Sequence, residues 1–393
     1  MNFYLNFNCF KITFLFWLVL CLYSLPHRAQ VLAGAEDIKG YFFDLKGKKI
    51  GVVAHQASLI FTSDKQKHLV DLPLENKIDI KCVFAPEHGF RGIADAGEKI
   101  ADGKDSLTHL PIYSLYGKTR KPSQAQLKGI ELMVFDLQDV GVRFFTYLST
   151  LHYVMEACAE QNIPVIVLDR PNPNSHYVDG PVLNLENSSF VGMHPVPIVY
   201  GMTIGEYAKM INGEGWLSNG ISCDLKVIPI KNYTHKTPYK LLIRPSPNLP
   251  NAQAIALYPS LCLLEQTDIS VGRGTDKQFQ IYGHPSFPKN QFSFTPKPNF
   301  GAKSPKQNGK ICYGVDLTEI KKPVIVELKW LIDAYTNFPQ KSAFFKKGFN
   351  LISGIKDLKI QIEQGIPESE IRKTWNQDLQ QFKRIRSKYL IYP

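Results

Sequence analysis

The sequence predicts an α/β protein built on a doubly wound, mostly parallel sheet. Three observations carry that prediction. Four short apolar runs are separated by helix-forming stretches, and strands buried on both faces read as such near-continuous runs. Each run ends in a cluster of polar and ionisable residues. From about residue 230 the texture changes to proline-rich extended segments and then to helical patterns.

Residues 49–54 form the first predicted strand, which ends at His55-Gln56-Ala57-Ser58. Residues 78–84 form the second and stop at Pro86, which cannot donate to a sheet ladder. The loop that follows carries Glu87, His88, Arg91, Asp95 and Glu98 among glycines, and glycine permits sharp turns and close backbone approach to a ligand. Residues 131–137 are the third strand and lead into Gln138-Asp139-Val140-Gly141-Val142-Arg143. Phe145, Leu148, Leu151, His152, Met155 and Ala159 then recur at helical spacing. Residues 164–168 are the fourth strand, ending at Asp169-Arg170-Pro171-Asn172-Pro173. Ligands of such sheets bind beyond the carboxyl ends of the strands. Polar clusters at four such ends therefore point to a cleft there.

The predicted domain organisation is a signal peptide over 1–33, a first domain over 34–245 and a second over 246–393. Lys11 precedes an apolar run over 12–25, and Val31-Leu32-Ala33-Gly34 supplies a small-residue cleavage site. Export to the periplasm or the outside is expected. Leu20 is too large for the residue before a lipidated cysteine, which argues against a lipoprotein anchor at Cys21. Beyond the signal, Cys82, Cys158, Cys223, Cys262 and Cys312 are scattered and odd in number. Buried free thiols are the expectation, with one bridge still open. The formal charge of +11 reads first as a solvated basic face, and as a partner for an exported protein an anionic wall polymer or membrane surface suits better than nucleic acid. No G-x-G-x-x-G or G-x-x-x-x-G-K-[ST] is present, so no nucleotide is expected. No His-Glu-x-x-His, His-x-His or G-x-S-x-G is present either, which argues against a metalloenzyme or a serine hydrolase.

Glu87, Asp95, Glu98, Asp136, Asp139, Asp169, Asp179 and Glu265 are the acids available to the cleft. Paired carboxylates suit glycoside hydrolysis, where one protonates the leaving oxygen and another stabilises or attacks the oxocarbenium-like centre. Asp136 and Asp139 have a structural alternative, capping turns or pairing with Arg143. Arg91, Arg143, Arg170 and Arg273 each fall in a loop beside glycine or proline. Arginine grips carboxylates with two parallel bonds, so these suggest an anionic substrate unless they are spent on neighbouring acids.

With those residues laid out, the chain resembles the secreted exo-β-N-acetylmuramidases of the NamZ type. The matching stretches are Phe84-Ala-Pro-Glu-His-Gly-Phe-Arg-Gly92, Ala94-Asp-Ala-Gly-Glu98, Ser114-Leu-Tyr-Gly117, Asp136-Leu-Gln-Asp-Val-Gly-Val-Arg-Phe144, Leu168-Asp-Arg-Pro-Asn-Pro173, Gly180-Pro-Val-Leu183, Pro245-Ser-Pro-Asn-Leu-Pro250 and Gly272-Arg-Gly-Thr275. The resemblance implies a Rossmann-like catalytic domain, a smaller α/β auxiliary domain and a cleft between them. It implies release of N-acetylmuramic acid from the non-reducing end of peptidoglycan fragments, with no cofactor or metal. Muropeptides or disaccharides would be the partners. Glu87 becomes the leading catalytic acid, and Asp169, Asp139 and Glu98 are candidates for the second carboxylate. The binding candidates are His55, His88, Arg91, Arg143, Tyr147, Arg170, Asn172, Asn248 and Arg273. The sugar's lactyl carboxylate would account for cleft arginines, and Tyr116, Phe144 and Tyr147 for a surface on which sugar rings pack. A non-catalytic muropeptide-binding protein on the same scaffold is the alternative.

Overall fold

Among the described residues the first half carries nine strands, β1 Lys49–Ala54, β2 Leu59–Phe61, β3 Gln66–His68, β4 Asp79–Ala85, β5 Gly103–Lys104, β6 Pro111–Ser114, β7 Leu132–Asp136, β8 Val165–Leu168 and β9 Leu225–Ile228. They come from a computed structural model that describes residues 30–61, 66–91, 98, 102–289 and 292–393. Seven form one sheet in the order β5-β6-β4-β1-β7-β8-β9. Every pairing in it is parallel except β5 with β6 at one edge. The chain thus starts at the centre with β1, builds outward through β4 and β6, then crosses back to β7 and builds the other way. That is the doubly wound topology, and its crossover point lies between β1 and β7.

Alternate residues of each strand enter opposite cores. Val53, Phe84, Phe135 and Val167 join one apolar cluster, and Val52, Val83, Val134 and Ile166 the other. Burial on both faces is why the strands read as unbroken apolar runs. The four expected strands are β1, β4, β7 and β8, each within one residue at either end. The additional parallel strands β6 and β9 escape such a reading. Pro111 opens β6, and in β9 an exposed Lys226 interrupts the apolar run between half-buried Leu225 and Val227.

The second half carries helices Ala252–Leu261, Lys329–Asn337 and Asn376–Arg386 and a small antiparallel sheet. Its strands β10 Ile281–His284, β11 Ser293–Phe294 and β12 Cys312–Asp316 are ordered β10-β12-β11. From Leu32 to Pro393 the chain forms one compact unit, because the first core continues from Val53 through Leu257 and Leu331 to Phe382. The five described cysteines are free and buried, as expected. The apolar run over 12–25 lies outside the described residues. Among the described residues no helix is long and apolar enough to cross a membrane.

The carboxyl terminus is pinned beside β8. Tyr392 donates its hydroxyl hydrogen to Asp169 Oδ2 at 2.6 Å, and the Ile391 N–H bonds buried Glu206 at 2.7 Å. His235 Nε2 lies 2.8 Å from the other oxygen of that carboxylate. Asp169 also accepts from Thr203 Oγ1, from Gly205 N–H and from its neighbour's N–H. It is fully buried, and its lone pairs are committed to holding β8, the helix Ile204–Gly213 and the tail together.

Candidate active site

The turn after β4 presents Glu87. Gly89 N–H closes it on Pro86 O at 3.0 Å, which forces His88 to φ 72° and Gly89 to φ 79°. A histidine in the left-handed region costs on the order of 1–3 kcal/mol and persists only where the surroundings over-determine it. Thr146 holds the carboxylate from the far side, donating to Glu87 Oε2 at 2.9 Å. It stands at the N-cap of helix Tyr147–Glu160, yet its hydroxyl makes no capping bond. The hydroxyl donates to Glu87 and its oxygen accepts no N–H from the first turn of the helix. Tyr116 also hydrogen-bonds this carboxylate, and its phenol pKa is raised by burial and by that negative neighbour.

His55 supports the turn from below. Gln138 N–H donates to His55 Nε2 at 3.0 Å, so that nitrogen carries no proton and the ring is neutral with its hydrogen on Nδ1. Nδ1 lies 3.2 Å from the Tyr147 hydroxyl, which is 3.4 Å from both the Glu87 and Pro245 carbonyls. Burial, then the Arg170 charge, hold the His55 pKa well below the ordinary value, in keeping with a neutral ring. Both side chains are buried, and they bridge β1, β7 and the Glu87 turn across the crossover point. They position the turn and offer no surface for a sugar to pack on.

Glu87 stands where two cavities meet. The larger, about 780 Å³, is lined by Glu98, Tyr116, Glu265, Arg273, Lys303 and Lys306 in addition to Glu87, and falls within the range of small-molecule sites. The smaller, about 50 Å³, is lined by His88, Phe144, Thr146, Asn248, Tyr258 and Phe279, with Glu87 and Arg273 shared. Arg273 packs its guanidinium over Phe279, 5.0 Å from the ring centroid, and lies 3.0 Å from Glu265. Burial opposes the charge of Glu265, but Arg273 and Lys306 outweigh it and hold the carboxyl below its ordinary range. Two buried acceptors here have no hydrogen-bond partner among the described residues, Glu265 Oε1 and Asn248 Oδ1. Asn248 is 1% exposed, and its amide nitrogen donates to Gly301 O at 2.7 Å. Asn248 lines the smaller cavity.

Of the expected site residues, the structure brings Glu87, Glu98, His88, Asn248 and Arg273 to these cavities. Glu98 bonds Lys303 through both oxygens at 2.9 Å. The others go elsewhere. Arg91 holds Asp105 at 2.8 Å and Asp71 at 3.4 Å. Burial works against the charge of Asp105, but bonds from Arg91 and Thr108 hold its pKa at about 2. Arg170 is locked on Asp136, with Nη2 to Oδ2 at 2.8 Å. Arg143 is buried among backbone carbonyls, donating to Pro181 and Val196 at 2.8 Å, Ile352 at 3.0 Å and Ser353 at 2.7 Å. Asn172 donates to Met202 O at 2.7 Å, and its amide packs so closely on Gly141, at φ 76°, that a Cβ there would lie 2.2 Å from Oδ1. Asp179 forms a two-oxygen pair with Arg372 at 2.7 Å. Asp95 lies outside the described residues. Among the described residues no cluster of three or more His, Cys, Asp or Glu could hold a metal ion.

Asp139 is buried, and Tyr200 and Gly141 N–H both donate to Oδ2, while Oδ1 has no partner among the described residues. Burial pushes its pKa up to about 6, against the hydrogen bonds that pull it down. In the unfolded chain an aspartate releases its proton near pH 3.9. Between about pH 4 and 6 the folded protein therefore binds more protons here, and this group's contribution to stability is lost as pH rises. Asp139→Asn keeps the acceptor and removes the titration. Its Tm relative to the native protein is expected to improve between pH 4.5 and 7.5, read by circular dichroism. A difference independent of pH would refute that account.

Residues 50–253 match the family described as exo-beta-N-acetylmuramidase NamZ, N-terminal, and residues 256–392 match its C-terminal counterpart. The chain belongs to the NamZ family of exo-β-N-acetylmuramidases. It is 38% identical over 377 residues to the peptidoglycan beta-N-acetylmuramidase NamZ of Bacillus subtilis strain 168, covering 90% of this chain and 89% of that one. Two crystal structures of DUF1343 family proteins from Bacteroides fragilis NCTC 9343 share the NamZ fold. One superposes with a TM-score of 0.85 at 45% identity, covering 93% of this chain and 99% of that chain. The other gives 0.79 at 29% identity, covering 93% and 100%. The α/β fold and the glycosidase class expected from the NamZ resemblance both stand.

Sequence reasoning missed Thr146, Tyr258 and Lys306 as cavity residues. A threonine directly before the helical stretch is a signal that points to Thr146. Tyr258 sits inside an apolar helix, and Lys306 in a loop without periodicity, so neither stands out.

Proposed function

We propose that this protein is an exo-acting glycoside hydrolase that removes N-acetylmuramic acid from the non-reducing end of peptidoglycan fragments, with Glu87 as proton donor to the leaving oxygen. The observation that carries this reading is the placement of Glu87. It is a carboxyl group on a strained turn, held by Thr146 and Tyr116, at the junction of two cavities in a chain of muramidase family. A buried acceptor without a partner costs about 1–3 kcal/mol, and Asn248 Oδ1 and Glu265 Oε1 would recover that by accepting N–H and O–H groups of the sugar. Phe144 and Tyr258, with ring centroids 5.4 Å apart, supply apolar lining. Export by the segment over 1–33 would bring the enzyme to its polymer.

The test is product analysis on a disaccharide of N-acetylmuramic acid β-linked to N-acetylglucosamine. Mass spectrometry is expected to show both monosaccharides in equal amounts, and no cleavage when the order of the sugars is reversed. An intact disaccharide that nevertheless binds would move the protein to the wall-fragment binders.

A further inference from the structure

The larger cavity holds three cations, and two of them are answered. Arg273 is matched by Glu265 at 3.0 Å and Lys303 by Glu98 at 2.9 Å. Lys306 is not matched. Its ammonium donates to two backbone carbonyls, Glu265 O at 2.7 Å and Leu264 O at 3.3 Å. Among the described residues no carboxylate lies within 4 Å of it. Lysine has three N–H donors, so one is unspent, and the side chain lines the cavity.

Capping explains part of this. The carbonyls belong to the 3₁₀ turn Cys262–Gln266, and a lysine there satisfies groups that the turn leaves open. Capping explains neither the third donor nor a half-buried charge with no carboxylate in contact among the described residues. Burial, together with Lys346 and Arg273, pulls the ammonium below the ordinary lysine value, although Glu265 and Asp268 act the other way. The surroundings under-compensate the charge. When Glu87 carries the proton that the reaction needs, Glu98 and Glu265 face three cations, and the surplus positive charge is at Lys306.

We propose that Lys306 is the specificity-determining residue for the substrate's acid group, with its spare N–H and its uncompensated charge receiving the lactyl carboxylate of N-acetylmuramic acid. The assignment rests on the muramidase reading above. It replaces the arginines as the expected source of anion selectivity, since Arg91, Arg143 and Arg170 are committed within the protein. N-acetylglucosamine lacks the lactyl group and would leave Lys306 unmatched, so the neutral sugar is disfavoured.

The experiment compares kcat/KM on a chromogenic β-N-acetylmuraminide with that on its lactyl methyl ester, which removes the charge and keeps the shape. The native protein is expected to prefer the acid roughly 10- to 100-fold, the range of a charge-assisted hydrogen bond. Lys306→Met should erase that preference by losing activity on the acid alone, and Lys306→Arg should restore part of it. A capping role would lower Tm and leave the acid-to-ester ratio unchanged, which would overturn the assignment. If Lys306→Met does not fold, the native ratio still decides, because a value near one refutes carboxylate recognition. Hydrolysis of neither substrate by the native protein would instead overturn the muramidase reading, and the assignment with it.

Discussion

Glu87→Gln is expected to lower turnover by about 10²–10⁴, the usual contribution of a positioned general acid. The amide keeps the shape and can still accept from Thr146, whose bond to Oε2 is 2.9 Å, but it has no acidic proton for the leaving oxygen. Tm and the affinity for a muropeptide should be close to native, measured by calorimetry on the same preparation. Loss of binding along with turnover would make Glu87 a structural residue. Full turnover would remove it from the chemistry altogether.

Arg143→Met is expected to cost stability and leave sugar selectivity in place. The guanidinium is 2% exposed and satisfies four backbone carbonyls, two of them more than two hundred residues away in sequence at Ile352 and Ser353. Burial lowers its pKa to about 9, and the charge is balanced by carbonyl dipoles. Each carbonyl left without a donor costs about 1–3 kcal/mol, so even the minimum gives about 4 kcal/mol, a large share of a typical 5–15 kcal/mol. Gly354 fits this strut, since a Cβ there would lie 2.4 Å from Nη2. Urea denaturation should show the loss. Arg143→Lys should recover part of it, because an ammonium cannot reproduce the planar fork. Native stability with loss of discrimination between muraminide and glucosaminide would return Arg143 to the binding site.

The sheet was legible because its physics is local. Apolar runs bounded by polar clusters give β1, β4, β7 and β8, and parallel pairing puts their carboxyl ends together. Glu87 was legible for the same reason, at the first polar position after a strand. The arginines were not. Arg91, Arg143, Arg170 and Arg273 look alike in sequence, each in a loop within two residues of glycine or proline, and only their partners separate them. Asp136 lies 34 positions from Arg170 and Ile352 lies 209 from Arg143. Pairing over such separations is set by tertiary packing, which periodicity does not encode. Asp169 failed as a cleft acid likewise, because its fourth donor, Tyr392, is 223 positions away. Lys306 had the opposite defect. The role proposed for it rests on a missing carboxylate contact, and a sequence shows only what is present.

Incubating the purified protein with a chromogenic β-N-acetylmuraminide and, in parallel, the matching β-N-acetylglucosaminide tests the central claim most directly. Release of the chromophore from the muraminide alone is the predicted result, since it requires both a working acid at Glu87 and a site that selects the lactyl carboxylate. Release from the glucosaminide at an equal or greater rate would contradict it.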